Sequence, residues 1–289
     1  MPMSPRLLRP RASGTAVHPE ALDWITRVTA NGGTATTNTL AAVSTFCASI
    51  DRESGLRAAI LRLNLFCGNS DASLNAVRTP LYLSGSLGGA AIGNATDTNF
   101  NFVEGDYQEA GSGGGLKGNG SSKYLGTGFN HNNLTATSTH MSISGTSLET
   151  AVNDRMAMGT FLNVGSGIFV LDITTATTSR GFRSSISAQT LFAHANATSE
   201  SHMIGTRTAN NAASVYRGGS AAVSSTVDSA ATTSNSLILV FAATNTSNAA
   251  GQYTAARLRM YSIGNGLTAA QALAFSNAVI AFNTTLGRA

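Results

Sequence analysis

Strand-like segments recur along the chain from Tyr124 to Ile263, and in several of them apolar and polar residues alternate. Segments of this kind recur at intervals of about 10 to 15 residues, as in proteins built from many short strands. Period-two alternation puts apolar side chains on one face of a strand and Ser, Thr and Asn on the other. The segments are KYLGTGF, HMSISGTSL, RMAMGTFL, GIFVLDIT, RGFRSSIS, TLFAHAN, HMIGTRTA, ASVYRGG, SLILVFAAT and ARLRMYSIG. They predict an antiparallel β-sandwich.

Helical periodicity precedes the strands, between residues 18 and 67. A first helix is predicted to begin at Pro19 and stop near Gly32. A second is capped by Thr37 or Asn38. The apolar stretch LRAAILRLNLFCG after Gly55 predicts a third. Their apolar stripes must be buried against each other or against the following domain.

Residues 68–123 are rich in glycine and polar side chains, which predicts loops around two short strands, LYLSG and NFVEGDY. The run GSGGGLKGNGSS lacks the spacing of a phosphate-binding loop and is interpreted as a surface turn. At the other end, Thr268 caps a closing helix. The predicted organisation is an extended arm (1–17), a helical module (18–67) and a β-sandwich with a C-terminal helix (68–289).

The N-terminal arm is basic and carries three prolines before residue 11. Pro2, Pro5 and Pro10 prevent a continuous helix and favour an extended path. Alone, such an arm is expected to be disordered, and another chain or a second copy would be needed to order it. Its candidate anchoring residues are Arg6, Leu7, Leu8, Arg9 and Arg11.

The placement of charged and apolar residues indicates which classes of partner the chain is expected to bind. The formal net charge is +4, but beyond the arm the arginines are scattered singly, and only Lys117 and Lys123 are lysines. Nucleic-acid grooves need clustered positive charge interleaved with aromatic residues, so no specific nucleic-acid partner is predicted. No apolar run approaches the roughly 20 residues of a membrane span, and no apolar region follows the first arginines. Neither a membrane partner nor a secretory signal is therefore expected.

The two cysteines, Cys47 and Cys67, fall in neighbouring predicted helices. Antiparallel helices could bring them within disulfide distance, so a bridge stays open. Two buried thiols of a reduced intracellular product are the simpler interpretation.

Three segments carry a resemblance to a known family. GLKGNGSSKYLGTGF, ASVYRGG and ARLRMYSIGNGLTAAQALAFSNAVIAFNTTLGR resemble the concanavalin A-like, laminin-G-type jelly rolls at the ends of bacteriophage structural proteins. In that family the last strand leads into a GLT turn and a closing helix. The resemblance covers about residues 75–289, and the helical segment before it resembles a companion module. It implies a jelly-roll fold and a virion or cell-surface protein that engages glycans, and it implies no active site.

From this resemblance and the arm we expect a non-enzymatic virion structural protein, such as a head spike, head fibre or tail fibre. It would be made in the host cytoplasm and exposed on the virion surface. Its partners would be capsid, portal or tail proteins and a host-surface polysaccharide. By analogy with projecting spikes it would be a homo-oligomer, with a trimer favoured. The alternatives are a capsid decoration protein without glycan binding and a polysaccharide-degrading enzyme.

Candidate catalytic acids are sparse. Glycan-cleaving relatives of this jelly roll use paired carboxyl groups on one strand, because one protonates the leaving group while the other attacks or stabilises. From residue 160 onward the carboxylates are Asp172, Glu200 and Asp228, each alone in its segment. No catalytic residues are predicted.

Sugar binding usually needs an aromatic side chain for the apolar face of a pyranose and polar groups for its rim. The candidate glycan-binding residues are Tyr124, Asn210, Asn211, Tyr216, Arg217 and Tyr253. The alternative for each tyrosine is an ordinary core or edge position in the sandwich.

No cofactor is predicted. Calcium is the one ion for which the sequence offers candidate ligands. The densest oxygen-rich stretch supplies Asp97, Asn99, Glu104 and Asp106. A solvated loop is the competing interpretation. His194 and His202 have no Cys or carboxylate at ligand spacing, so they predict no zinc site.

Overall fold

The structure is a computed structural model of the 289-residue chain. It describes residues 16–69, 74–148, 155–160, 168–175, 179–186, 192–195, 199–226, 232–245, 247 and 249–288. The proposed anchoring residues of the arm, from Arg6 to Arg11, lie outside the described residues, and their role stays a prediction.

Seventeen strands and four α-helices make up the described fold. The helices are α1 (Pro19–Ala30), α2 (Thr37–Ile50), α3 (Leu56–Ala59) and α4 (Ala269–Thr285). The first strands are β1 (Ile60–Asn64), β2 (Thr98–Phe100), β3 (Tyr107–Gln108), β4 (Gly115–Lys117), β5 (Tyr124–Asn130), β6 (Thr139–Thr146), β7 (Arg155–Thr160), β8 (Ile168–Thr175) and β9 (Ser179–Ile186). The others are β10 (Phe192–Ala195), β11 (Ser199–Ala209), β12 (Ala212–Arg217), β13 (Ser220–Ser225), β14 (Leu237–Val240), β15 (Ala243–Thr244), β16 (Ala250–Gly251) and β17 (Arg257–Gly264).

The strands form two sheets. Sheet A has the order β13-β12-β11-β6-β17-β4-β3, and β1 also pairs with β17. Sheet B has the order β10-β9-β8-β7-β14-β5-β2, with β15 and β16 attached beside β7. Except for the short parallel pairing of β15 with β7, the described pairs are antiparallel. All ten strands predicted after residue 123 are present, so the mainly β sandwich closed by a C-terminal helix is confirmed.

Side chains on the inner faces of the two sheets form the core of the sandwich. Met141 and Ile143 of β6 alternate with outward serines and face Leu125 and Phe129 of β5 in this core. At Gly205 of β11 an added Cβ would lie 2.1 Å from the Phe182 ring, so the glycine makes room for an aromatic ring of the opposite sheet.

The helices cover the outer face of sheet A. Trp24, Phe46 and Phe275 share one buried cluster with Ile204 and Met260 of the sheet. The Phe46 ring meets the Phe282 ring of α4 edge to face, with centroids 5.8 Å apart. The segment 18–67 therefore buries its apolar stripes against the sandwich, one of the two outcomes expected from its helical pattern.

The predicted third helix is wrong over most of its length. Only Leu56–Ala59 is helical, and Ile60–Asn64 forms β1, which pairs with Tyr261–Gly264 of β17. A short apolar run fits a buried strand as well as a helix, and pairing with β17 decides between them. LYLSG is not a strand either, since its pairing is a single bridge between Tyr82 and Leu63. NFVEGDY contributes only the ends of β2 and β3 around a 3-10 turn.

Both cysteines are buried free thiols. Burial raises the pKa of Cys47 to about 12 and that of Cys67 well above its usual range. They therefore pack as small apolar side chains. Among the described residues no helix is both long and apolar enough to cross a membrane.

Candidate functional site

Three aromatic side chains lie together on the outer face of sheet B. Phe100 of β2 is directly opposite Tyr124 of β5, and their rings stack in parallel with centroids 4.1 Å apart. The Tyr253 ring follows, 5.9 Å from that of Tyr124. We call these three residues the aromatic surface.

The pleat of β5 puts this surface on the solvent side. Leu125 and Phe129 point into the core, so Tyr124 and Gly126 point outward. An added Cβ on Gly126 would lie 3.2 Å from the Phe100 ring, and its absence lets that ring lie across the strand. Phe100 is 37% exposed. The described helices pack on the other sheet.

The loop before β5 is held rigidly beside the aromatic surface. The Asn119 Oδ1 atom accepts hydrogen bonds from the backbone amides of Ser121, Ser122 and Lys123 at 2.9–3.1 Å. From β7, the Arg155 Nη1 atom donates to the carbonyls of Gly120 at 3.0 Å and Tyr253 at 2.8 Å. These bonds fix the loop and the tyrosine relative to each other, which preorganises the surface.

The polar groups of the surface suit a ligand with an apolar face and hydroxyl groups. Burial beside Tyr253 raises the pKa of Tyr124, so its phenol is neutral at physiological pH. The Tyr253 hydroxyl donates to the Ala250 carbonyl at 3.0 Å. At the rim, Lys123 and Asp106 form an ion pair at 2.5 Å. Aromatic faces beside such a rim match the two sides of a pyranose.

The structure brings together only part of the predicted glycan-binding set. Tyr124 and Tyr253 are neighbours, whereas Tyr216 and Arg217 lie on β12 of sheet A. Tyr216 is buried against the helices. Arg217 forms an ion pair with Glu200 at 2.5 Å.

The two predicted asparagines lie at the turn between β11 and β12. Asn210 accepts hydrogen bonds from Arg207, and Asn211 is the second residue of that turn. The six candidates therefore divide between the two sheets and do not form one site.

Phe100 was missing from the predicted set. It lies in a three-residue strand, which is too short to show period-two alternation. Its position opposite Tyr124 follows from pairing between segments 24 residues apart, which local patterns do not encode.

The proposed calcium ligands have other partners. Asp97 is fully buried and bonds to Arg62 at 2.7 Å, to the Asn64 amide at 2.9 Å and to the Tyr261 hydroxyl at 2.8 Å. A buried guanidinium is unfavourable unless a carboxylate pairs with it, and Asp97 is the buried partner of Arg62.

The rest of the oxygen-rich stretch lies around a turn. Asn99 exchanges hydrogen bonds with the backbone of Phe102, and Asp106 pairs with Lys123. Among the described residues, no group of ligating side chains close enough to hold one metal ion includes Asp97, Glu104 or Asp106. Asp97 is therefore not part of a solvated loop, and calcium binding by this stretch stays a prediction.

One group of metal-ligating side chains does cluster in the described part of the chain: His18, Glu20 and Cys47, with ligand atoms within 4.8 Å of one another. These groups have structural partners. His18 Nε2 lies 3.0 Å from Asp51, and the Glu20 carboxylate lies 2.6 Å from Arg57 Nε. Burial also keeps Cys47 protonated. The cluster joins α1, α2 and α3.

A chain of buried polar side chains links sheet A to α4. His202 contacts the Ser276 hydroxyl of α4 at 3.0 Å and the Ser142 hydroxyl at 2.9 Å. Ser142 contacts Ser262 at 2.7 Å, and Ser262 contacts His140 at 3.0 Å. All five side chains are fully buried, so the chain has a structural role and gives no access to a substrate.

Comparisons with known proteins show distant likeness only. No protein-family model matches the chain, and no curated protein does. Domain 4 of AbnA, a GH43 extracellular arabinanase from Geobacillus stearothermophilus solved with arabinotriose, is 14% identical over 75% of this chain and 98% of its own, with a TM-score of 0.49.

Two further structures are similar at the same level. A Trypanosoma rangeli sialidase with a difluoro-KDN ligand is 11% identical over 82% of this chain, with a TM-score of 0.45. A mutant of HCR/D is 10% identical over 76% of this chain, with a TM-score of 0.49. The alignments span 39% of the sialidase and 52% of HCR/D. Likeness this distant carries no argument about function.

Proposed function

We propose that this chain is a non-enzymatic, glycan-binding structural protein of a bacteriophage or phage-like particle. The aromatic surface carries the glycan-binding part, because Phe100 and Tyr124 stack in a solvent-facing pair beside Tyr253. The particle part is supported by the basic, proline-interrupted arm and by the sequence resemblance. The arm would bind capsid, portal or tail proteins, and a homotrimer would display the sandwich on the virion surface.

Glycan binding by this surface needs shape and stacking. Because Phe100 and Tyr124 stack on each other, the C–H face of a pyranose would cover the side of the Phe100 ring that points away from Tyr124, while sugar hydroxyls would bond to the polar rim around Lys123 and Asp106. The rim is already held by Asn119 and Arg155, so binding would cost little loop ordering.

Tyr124→Ala is expected to weaken glycan binding about tenfold or more, the equivalent of losing about 1.4 kcal/mol of ring contact. The measurement is a glycan array followed by titration of the best glycan. Leu237→Ala is the matched control, because it removes a 41% exposed apolar side chain from the same sheet. An array without signal would favour a decoration protein, and release of reducing ends from bound polysaccharide would favour an enzyme.

Deletion of residues 1–17 is expected to leave a folded protein that no longer enters particles. The helices begin at Pro19, and of the described arm residues Val17 packs at the edge of their buried cluster, so the truncated chain keeps the buried side chains of that cluster and is expected to fold. Circular dichroism would test folding, and particle purification after complementation would test incorporation. Normal incorporation of the truncated chain would contradict the anchoring role.

A further inference from the structure

A second surface, on the outer face of sheet A, is strongly basic. It is a groove of about 680 Å³ lined by Lys117 of β4 and by Arg257 and Arg259 of β17. We call it the basic groove. It lies on the opposite sheet from the aromatic surface.

Arg259 is the unusual member of the basic groove. The residue is only 8% exposed, and its buried Nε atom has no hydrogen-bond partner among the described residues. Burial and the nearby Arg288 charge lower its pKa, but a guanidinium stays protonated at neutral pH. A buried charge without a partner is unfavourable, and its fork of N–H donors matches an oxyanion.

The other charges in the groove do not supply that oxyanion. Among the described residues that line the groove, Glu200 is the one carboxylate, and Arg217 already holds it at 2.5 Å. Arg257 donates to two backbone carbonyls, those of Asp106 and Gly115, so it also keeps its full positive charge. Lys117, Arg257 and Arg259 thus leave the groove with excess positive charge.

The neutral lining indicates what kind of anion fits. Hydroxyl groups of Thr146, Ser147, Ser199 and Ser201 surround the cations, and none of the described lining residues is aromatic. Serine and threonine hydroxyls can bond to sugar hydroxyls. Without aromatic rings the groove offers no surface on which nucleic-acid bases could stack.

We propose that the basic groove binds the carboxylate or sulfate groups of an acidic polysaccharide, with Arg259 as the central contact. The inference rests on the proposed glycan-binding function and specifies an acidic class of glycan. It also assigns the acidic groups to sheet A, separate from the stacking contacts on sheet B.

The test uses the full chain and matched polymers. Polygalacturonate is compared with its methyl ester, which has the same backbone without charge, and dextran sulfate is compared with dextran. The expected result is at least about tenfold tighter binding of one charged polymer than of its neutral counterpart, weakening as salt is raised. Arg259→Met should lose about tenfold or more of that affinity. The control is Arg52→Met, which removes one exposed arginine elsewhere.

Arg259→Met should also unfold at the same or a higher temperature, since it removes a largely buried charge whose Nε atom has no hydrogen-bond partner among the described residues. Lys117→Met, at the exposed edge of the groove, is a second variant that tests the groove without a buried change and should weaken the same binding.

Several outcomes would overturn the proposal. They are equal binding of charged and neutral polymers, unchanged binding by both Arg259→Met and Lys117→Met, tighter binding of single-stranded DNA than of either polymer, and binding of free sulfate without polymer binding. The proposed function fails separately, since it requires Tyr124→Ala to weaken glycan binding. Loss in Arg259→Met with no loss in Tyr124→Ala would support the groove and contradict the aromatic surface.

Discussion

Asp97→Asn is expected to lower the free energy of unfolding by about 3–5 kcal/mol, because it leaves a buried guanidinium without its counter-charge. Arg62 and Asp97 are both fully buried and lie 2.7 Å apart. The same carboxylate accepts hydrogen bonds from the Tyr261 hydroxyl and the Asn64 side-chain amide, so one substitution disturbs four side chains. These contacts connect β1, β17 and the loop before β2, which makes the effect global.

Urea denaturation followed by circular dichroism would measure this effect. Asp23→Asn is the matched control: it also removes a carboxylate from an arginine pair, but Asp23 is 47% exposed and its pair with Arg27 spans one helical turn. That control should cost less than about 1 kcal/mol. Equal costs for the two variants would show that the buried network contributes little.

Acid is expected to destabilise the protein well before its carboxylates are protonated. Burial lowers the pKa of His131 and His140 to about 4 and that of His202 to about 3. In the unfolded chain each histidine binds a proton near pH 6.5. The unfolded state therefore holds more protons between about pH 6.5 and 4, and stability falls as pH decreases through that range. At about pH 5 the loss is on the order of 1–2 kcal/mol for each histidine.

Unfolding by urea at about pH 7.5 and about pH 5 would test this linkage in wild type and in His202→Gln. The variant is less stable at the higher pH, and the gap should narrow at the lower pH because the variant has one titrating group fewer. Ser276→Ala removes the hydrogen bond to His202 without removing the histidine, so its gap from wild type should not narrow. A parallel pH dependence in wild type and His202→Gln would refute the assignment.

Much of the fold was predictable from local pattern. Each of the ten segments predicted as strands between Tyr124 and Gly264 contains a strand, because a half-buried strand shows its two faces in consecutive residues, whereas β13 and β16 lie outside these segments. Thr268 was predictable as a helix cap. The structure adds the reciprocal hydrogen bond, in which the Thr268 backbone amide donates to the Gln271 side-chain oxygen and completes a capping box. The helix predicted over Ile60–Asn64 is instead a strand, because a short apolar run has no distinctive period from which to tell the two apart.

The functional surfaces depend on contacts between distant segments. Tyr124 and Tyr253 were candidates from composition, but Phe100 joined them only through the pairing of β2 with β5. Arg62 contacts Tyr261 across 199 residues of sequence, and that network is what makes Asp97 structural.

Alternation specifies which way a side chain points, whereas the partner it meets depends on strand order and register. Local sequence therefore specified the strands, the closing helix and two aromatic candidates. The packing of the two sheets and α4 created the aromatic surface, the buried histidines and the buried Arg259 Nε atom that has no partner among the described residues, because burial and long-range pairing exist only in the folded chain.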